Sequence, residues 1–208
     1  MGLVIGRAWL CAGLLMGLLM SATPLEKASA DAVPGAMAIG QRTSIPVGYI
    51  EFCRRQAAEC KIRSGNVPPV LMSRGMGDKL ASVTKLVNRS IKPASDLAVH
   101  GTMEFWSYPD RAIGDCEDYV LLKRQMLNSA GVSLSNLLIT VVKKKDGEGH
   151  AVLTVKTDRG DYVLDNLNDE VKLWSETGYR FLKRQSSSDT GRWVAILEDR
   201  DVLVGSVD

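Results

Sequence analysis

The sequence predicts an α+β fold in which one helix packs on an antiparallel sheet. Two observations support this prediction. A capped, apolar-striped segment at 115–128 predicts a helix. It is followed by three segments rich in Val, Ile, Leu or Tyr, at 137–144, 150–157 and 161–167, which predict strands. Short turns rich in Asp and Gly separate the strands, so the sheet is expected to be an antiparallel meander.

The other elements are predicted from local patterns. Residues 45–49 combine Ile, Pro, Val and Tyr and predict an extended segment that leads into the core. Apolar residues recur at helical spacing over 78–91, which predicts a helix that ends before Pro93. The segments around Tyr179 and Trp193 predict further strands.

Composition and charge limit the possible functions. The chain has 208 residues, of which 45% are hydrophobic, enough for a single core. The formal net charge is only +2 and the basic residues are spread along the chain, so no nucleic-acid partner is predicted.

Residues 1–30 have the pattern of a secretory signal peptide. Arg7 precedes an apolar run at 8–20, and Ala28-Ser29-Ala30 provides an expected cleavage site. The run is too short to span a bilayer, so the mature chain is expected to have no transmembrane segment. Residues 31–44, rich in Ala and Gly, are expected to be flexible, and 45–208 to form the domain. The protein is therefore expected to be periplasmic or secreted.

Export changes the meaning of the cysteines, because exposed thiols pair in an oxidising compartment. Cys53, Cys60 and Cys116 remain after cleavage, and an odd number leaves one unpaired. The nearest pair predicts a Cys53–Cys60 disulfide; the alternative is two separate buried thiols. On one regular helix this pair would lie roughly 10 Å apart, so the disulfide also predicts a broken helix.

Three residues form a candidate catalytic set. Cys116 lies in the first turn of its helix, where free N–H groups and the helix dipole favour a thiolate. His150 begins a strand after a turn and is a better base than His100, which lies in an unpatterned loop. Asp165 ends the next strand, at the same edge of the sheet. A lone Cys or His is more often structural, but this helix, strand, strand order favours a Cys-His-Asp triad.

The hairpin between the last two strands decides whether His150 reaches Asp165. A two-residue loop at 159–160 would leave them four positions apart, on the order of 13 Å. A four-residue loop at 156–159 would place them directly opposite. The sequence therefore predicts the longer loop, or a bulge.

Three carboxylates surround the candidate nucleophile. Asp115, Glu117 and Asp118 oppose thiolate formation, although they also favour a helix N-terminus. A hard cation such as calcium would cancel this charge. Zinc is disfavoured because spare Cys and His ligands are absent.

The motifs GDCEDY at 114–119, GHAVL at 149–153 and VLDN at 163–166 resemble the bacterial transglutaminase-like cysteine peptidases, whose best-understood members are LapG-type periplasmic proteases. The likeness spans 46–196. It implies a papain-like or transglutaminase-like core with Cys116 as nucleophile, His150 as base and Asp165 as orienting acid. It also implies calcium dependence through Asp115, Glu117 and Asp118.

The same resemblance implies a protein substrate, such as a surface adhesin, and an inner-membrane cyclic di-GMP receptor as regulator. The leading interpretation is thus an exported cysteine peptidase. Transglutaminase-type acyl transfer would use the same triad, and a non-catalytic calcium- or peptide-binding module would keep only the fold.

Overall fold

The framework of the chain is an antiparallel sheet. The computed structural model describes residues 1–3, 33–65, 67–109 and 111–197, so the predicted signal peptide lies almost entirely outside the described residues. The strands are β1 Ala38–Thr43, β2 Lys92–Pro93, β3 Ile113–Gly114, β4 Leu137–Lys143, β5 Gly149–Thr157, β6 Gly160–Leu164, β7 Lys172–Leu173, β8 Arg180–Ser186 and β9 Asp189–Leu197. The helices are α1 Val47–Arg55, α2 Arg74–Ser90, α3 Asp96–His100 and α4 Cys116–Ser129.

Within the described residues, seven strands form one sheet in the order β1-β9-β8-β4-β5-β6-β7, and β2 pairs with β3 separately. Helix α4 packs on β4 and β5, and α2 packs on α4. Leu121 and Leu127 of α4 are fully buried with Ile139 and Leu153 of the sheet. The predicted helix on an antiparallel sheet is therefore confirmed. No helix in the described ranges has the length and apolar character needed to cross a bilayer.

The opposite face of the sheet is also covered. Val142, Val152 and Phe181 form a second apolar cluster there, against which Trp174 packs. A buried ion pair joins Arg184 Nη1 to Asp161 Oδ2 at 2.8 Å. Burial on both faces explains why the strands have nearly continuous apolar sequences rather than alternating ones.

The N-terminal segment contributes to this sheet. Strand β1 pairs with β9, with Ala38 opposite Leu197, and the Met37 N–H donates to Asp161 Oδ2 at 2.8 Å. The expectation of a flexible segment over 31–44 is therefore wrong for 38–43. The Ala- and Gly-rich sequence gains its order from a distant partner rather than from its own pattern.

Helix α1 begins at Val47, so the extended segment predicted at 45–49 is wrong for 47–49. Pro46 precedes the helix with φ −57°, and Tyr49 and Phe52 are buried in the core. The helix ends at Arg55 and the chain then turns back, which brings Cys60 to Cys53 with a Cα–Cα distance of 5.7 Å. The predicted disulfide and the predicted break in the helix are both confirmed.

Candidate active site

Cys116 is the first residue of α4. Asp115 occupies the N-cap position, but its side chain does not cap the helix and instead accepts the Asp96 N–H at 3.3 Å. The preceding Gly114 is required by close packing, because a Cβ there would lie 2.3 Å from Asp118 Oδ2. Cys116 is partly buried and is the only free cysteine among the described residues.

The surroundings of Cys116 favour the protonated form of its thiol. Burial, and then the charge of the Glu117 carboxylate, raise the pKa of Cys116 well above its ordinary value. The Sγ–H donates to Glu117 Oε2 at 3.1 Å. A hydrogen bond from the backbone of Ala151 acts in the opposite direction and places the sulfur beside the residue that follows His150. Burial and the acidic neighbours therefore keep the pKa of Cys116 raised, although the thiol lies in the first turn of a helix.

His150 and Asp165 are in direct contact. The Nε2 atom of His150 lies 2.8 Å from Asp165 Oδ1, and both side chains are buried. His150 is in β5, and Asp165 directly follows β6. With Nε2–H donating to the carboxylate, Nδ1 is left free to accept a proton.

The hairpin that brings them together is tighter than predicted. Thr157 pairs with Gly160 across a two-residue loop at 158–159, with no irregularity along the pair. One more step of this register sets Asp165 opposite Val152, so His150 and Asp165 are diagonal neighbours on one face. Diagonal neighbours lie about 7–8 Å apart, within reach of an imidazole. The predicted longer loop and the predicted bulge are both wrong. The two-residue loop lies at 158–159 rather than at 159–160, and this shift of one residue brings His150 and Asp165 from four positions apart to two.

Asp165 has donors on both oxygens. Oδ1 also accepts the Leu167 N–H at 3.1 Å, and Oδ2 accepts the Tyr179 hydroxyl at 2.6 Å. The Tyr179 ring lies edge-on to the His150 ring, with centroids 5.6 Å apart. Burial tends to raise the pKa of Asp165, but the hydrogen bond and charge of His150 and the Tyr179 hydroxyl hold it below the ordinary value.

Acidic side chains gather next to Cys116. Possible ligand atoms of Asp96, Asp115 and Glu117 all lie within 4.8 Å of one another. Burial, and then the charge of Asp115, raise the pKa of Glu117 to about 9. The Oδ1 atom of Asp115 is buried without a hydrogen-bond partner among the described residues.

Asp118 points to a different part of this region. Its Oδ1 accepts the Ser107 N–H at 2.8 Å, and its Oδ2 is buried without a partner in the described ranges. Burial raises the pKa of Asp118 to about 7. The structure thus groups Asp96, rather than Asp118, with Asp115 and Glu117. Asp96 begins α3, and its local sequence signals only a helix start.

A thiol at the start of a helix that packs on an antiparallel sheet, beside a histidine–carboxylate pair, is the arrangement of papain-like and transglutaminase-like cysteine hydrolases. The family model of the bacterial transglutaminase-like cysteine proteinases (BTLCP) matches residues 39–201. The chain belongs to this family and is a cysteine peptidase.

Solved structures of Legionella pneumophila LapG are similar to the chain. A calcium-bound form is 22% identical with a TM-score of 0.50, and the match covers 58% of this chain and 69% of LapG. A second LapG structure is 21% identical with a TM-score of 0.50, covering 61% of this chain and 72% of LapG. At this identity the likeness establishes a shared fold. No curated protein matches significantly.

Proposed function

We propose that the protein is an exported, calcium-dependent cysteine peptidase that uses Cys116 as nucleophile, His150 as general base and Asp165 as the orienting acid. The observation that carries this proposal is the 2.8 Å contact between His150 Nε2 and Asp165 Oδ1, because His150 lies on β5, which packs against the helix of Cys116. This contact fixes the imidazole so that Nδ1 is the basic atom.

In the acylation half-reaction, His150 Nδ1 takes the proton from Cys116 Sγ, and the sulfur attacks the carbonyl carbon of the scissile peptide bond. The developing oxyanion is stabilised by the free N–H groups in the first turn of α4. His150 then gives its proton to the leaving amine as the C–N bond breaks. Asp165 remains ionised and stabilises the imidazolium, consistent with its lowered pKa.

In the deacylation half-reaction, His150 accepts a proton from a water molecule, and the hydroxide attacks the thioester carbon. The C–S bond breaks, the new carboxylate leaves, and Cys116 recovers its proton. An amine in place of this water would give acyl transfer with the same residues.

The acidic group beside Cys116 fits a calcium ion. Calcium takes several carboxylate oxygens in flexible geometry, and Asp96, Asp115 and Glu117 offer three within 4.8 Å. The buried Oδ1 of Asp115, which has no hydrogen-bond partner in the part of the chain that the structure describes, is a second indication of a bound ion. Bound calcium supplies positive charge that offsets these carboxylates. We therefore propose Asp96, Asp115 and Glu117 as ligands, with Asp118 adjoining them.

The cellular setting is proposed from the family and from the sequence. Residues 1–30 act as a signal peptide, and the mature chain works in the periplasm or outside the cell. Its substrate is a protein, with a surface adhesin as the first candidate and an inner-membrane cyclic di-GMP receptor as the candidate regulator.

Alkylation of the thiol by iodoacetamide tests the nucleophile without a known substrate. With Cys53 and Cys60 bridged, the mature chain has a single reactive thiol. In saturating calcium we expect Cys116 to react faster than a free cysteine at pH 7, and His150→Ala to lose this advantage. His100→Ala, at the second histidine, is the matched control and should react like wild type. Equal alkylation rates for all variants would contradict the assignment of Cys116 as a nucleophile activated by His150.

Calcium is tested with the same reaction. We expect a chelator to slow alkylation of wild type, because without the cation the Glu117 and Asp115 carboxyl groups beside the buried thiol hold the pKa of Cys116 well above its ordinary value. Glu117→Gln should react at the same rate with and without calcium. A chelator that changes neither alkylation nor melting temperature would contradict the calcium site. Stable incorporation of a labelled amine into a glutamine-containing protein would assign acyl transfer instead of hydrolysis.

A further inference from the structure

Tyr179 holds the oxygen of Asp165 that His150 does not use. Its hydroxyl donates to Asp165 Oδ2 at 2.6 Å, and no other donor to this atom occurs within the described residues. A hydrogen bond of this length to a carboxylate is of the short, charge-assisted kind. Oδ1 meanwhile accepts from His150 and Leu167. The carboxylate is therefore held at both ends, which prevents rotation about its Cβ–Cγ bond.

Tyr179 reaches this position from the far side of β4. It immediately precedes β8, which pairs with β4, and β4 in turn pairs with β5. Val142 of β4 lies opposite both His150 and Phe181. The first residues of β8 and of β5 therefore lie at the same end of the strands, on either side of β4. A side chain from outside the predicted triad thus reaches the edge where His150 and Asp165 meet.

The Tyr179 ring also limits the imidazole directly. The two rings are 5.6 Å apart between centroids with an interplanar angle of 69°, a favourable edge-to-face arrangement. Burial, and then the bond to Asp165, raise the pKa of Tyr179 above its ordinary value, so the hydroxyl stays a donor throughout the physiological range. One side chain therefore contacts both members of the pair.

We propose that Tyr179 is a positioning residue of the active site, which fixes the Asp165 carboxylate and thereby keeps neutral His150 in its Nε2–H tautomer. The role rests on the proposed function of His150 as general base. Its consequence is that Nδ1 remains available to Cys116 in every catalytic cycle.

A small cavity determines how large the effect of a substitution should be. About 50 Å³ of space borders Asp165, Thr177 and Tyr179. A water molecule takes about 30 Å³ in the liquid, so one can enter when the hydroxyl is removed. Such a water donates to Oδ2, but unlike the Tyr179 hydroxyl it is not attached to a ring that fixes the direction of the hydrogen bond. The loss should therefore be moderate, near the lower end of the roughly 10- to 100-fold typical of residues that orient others.

The kinetic test compares Tyr179→Phe with Tyr49→Phe. We expect Tyr179→Phe to lower kcat about tenfold while KM stays within about twofold, because orientation of the base is lost and substrate contacts are not. Tyr49 is the matched control: its buried hydroxyl donates to the Thr190 carbonyl at 3.0 Å and accepts from Gln185. A Tyr179→Phe variant whose kcat lies within about twofold of wild type overturns the proposal.

A second measurement needs no substrate. The chain has two histidines, so ¹⁵N NMR of histidine-labelled protein in a Cys116→Ser background resolves His150, with His100→Gln for assignment. We expect the Nε2–H tautomer to predominate and its population to fall when Tyr179→Phe is added. An unchanged tautomer ratio overturns the positioning role. If wild type cleaves no peptide bond, the proposed function fails, and the tautomer ratio still decides the role of Tyr179.

Discussion

Lys123 on α4 should destabilise the folded protein, and its replacement by Met should stabilise it. The Lys123 side chain is fully buried, and its Nζ atom has no hydrogen-bond partner among the described residues. The Tyr119 ring, 5.8 Å away, offers only a weak cation–π contact. Methionine has a similar length and no charge, so Lys123→Met keeps the packing and removes the buried ammonium.

The size of the effect follows from the pKa of Lys123. Burial lowers this pKa from 10.5 to about 8, although Asp165 and Asp169 act in the opposite direction. Between pH 8 and 10.5 the unfolded chain binds more protons than the folded chain, so the free energy of unfolding rises with pH across this window. Below pH 8 the full penalty applies, about 3 kcal/mol. Lys123→Met should therefore raise the melting temperature at pH 7 by about 6–12 °C.

Urea denaturation followed by tryptophan fluorescence measures this effect. Wild type and Lys123→Met are compared from pH 6.5 to 10.5 at constant saturating calcium. The titration of the acidic side chains beside Cys116 then changes the stability of both proteins equally. The advantage of the variant should be greatest below pH 8 and should vanish near pH 10.5. Lys85→Met, at an exposed position of α2, is the control and should change stability by less than about 0.5 kcal/mol at every pH. A Lys123→Met variant that is less stable at pH 7, or whose advantage is independent of pH, would refute the reasoning.

Two further outcomes can be measured in the same way. Replacing Cys53 and Cys60 together by Ala removes a short covalent loop and should lower the free energy of unfolding by ~2.5 kcal/mol in urea titrations; a loss under about 0.5 kcal/mol would contradict this. In chelator, thermal stability should fall as pH rises from about 4.5 to 9, because the pKa of the Glu117 carboxyl is raised from 4.5 to about 9 in the folded chain, which therefore retains a proton that the unfolded chain releases. Glu117→Gln should flatten this slope, and a slope of the opposite sign would show that Glu117 is ionised in the folded chain.

The features predicted correctly from sequence are those with local signals. The helix of Cys116 is predicted by the acidic residues at its start and by the apolar residues at helical spacing within α4. The Cys53–Cys60 disulfide follows from a short span and an odd number of thiols. The strands β4 to β6 follow from apolar runs separated by Asp and Gly. Each of these inferences needs only neighbouring residues, so nothing distant could override it.

The errors in the fold have distant causes. Strand β1 has no alternating pattern, and it is ordered by pairing with β9 at the other end of the chain. The Val, Tyr and Ile residues around α1 favour a strand by propensity, but Tyr49 packs on Trp106 and Trp193 and the segment is helical. Tertiary packing thus decided both elements.

The candidate site shows the same division. His150 and Asp165 could be paired from strand order, but the loop at 158–159 could not, because it also depends on Val70, which bridges to Thr157. Asp96 and Tyr179 reach the site from α3 and from the start of β8. Neither has a local pattern that distinguishes it from any other acidic or aromatic residue. Their contribution is visible only once the chain has folded.

The order of strands has a consequence for the kinetics of folding. The elements from α4 to β6 follow one another along the chain, whereas β1 joins the sheet only through β9, at the other end of the chain. Contacts between sequence neighbours form faster than contacts that close a long loop. We therefore expect the contacts among α4, β4, β5 and β6 to form early in folding, and the β1–β9 pair to form last. The carboxylates on either side of Cys116 in the sequence would then limit the reactivity of its thiol before the β1–β9 pair forms.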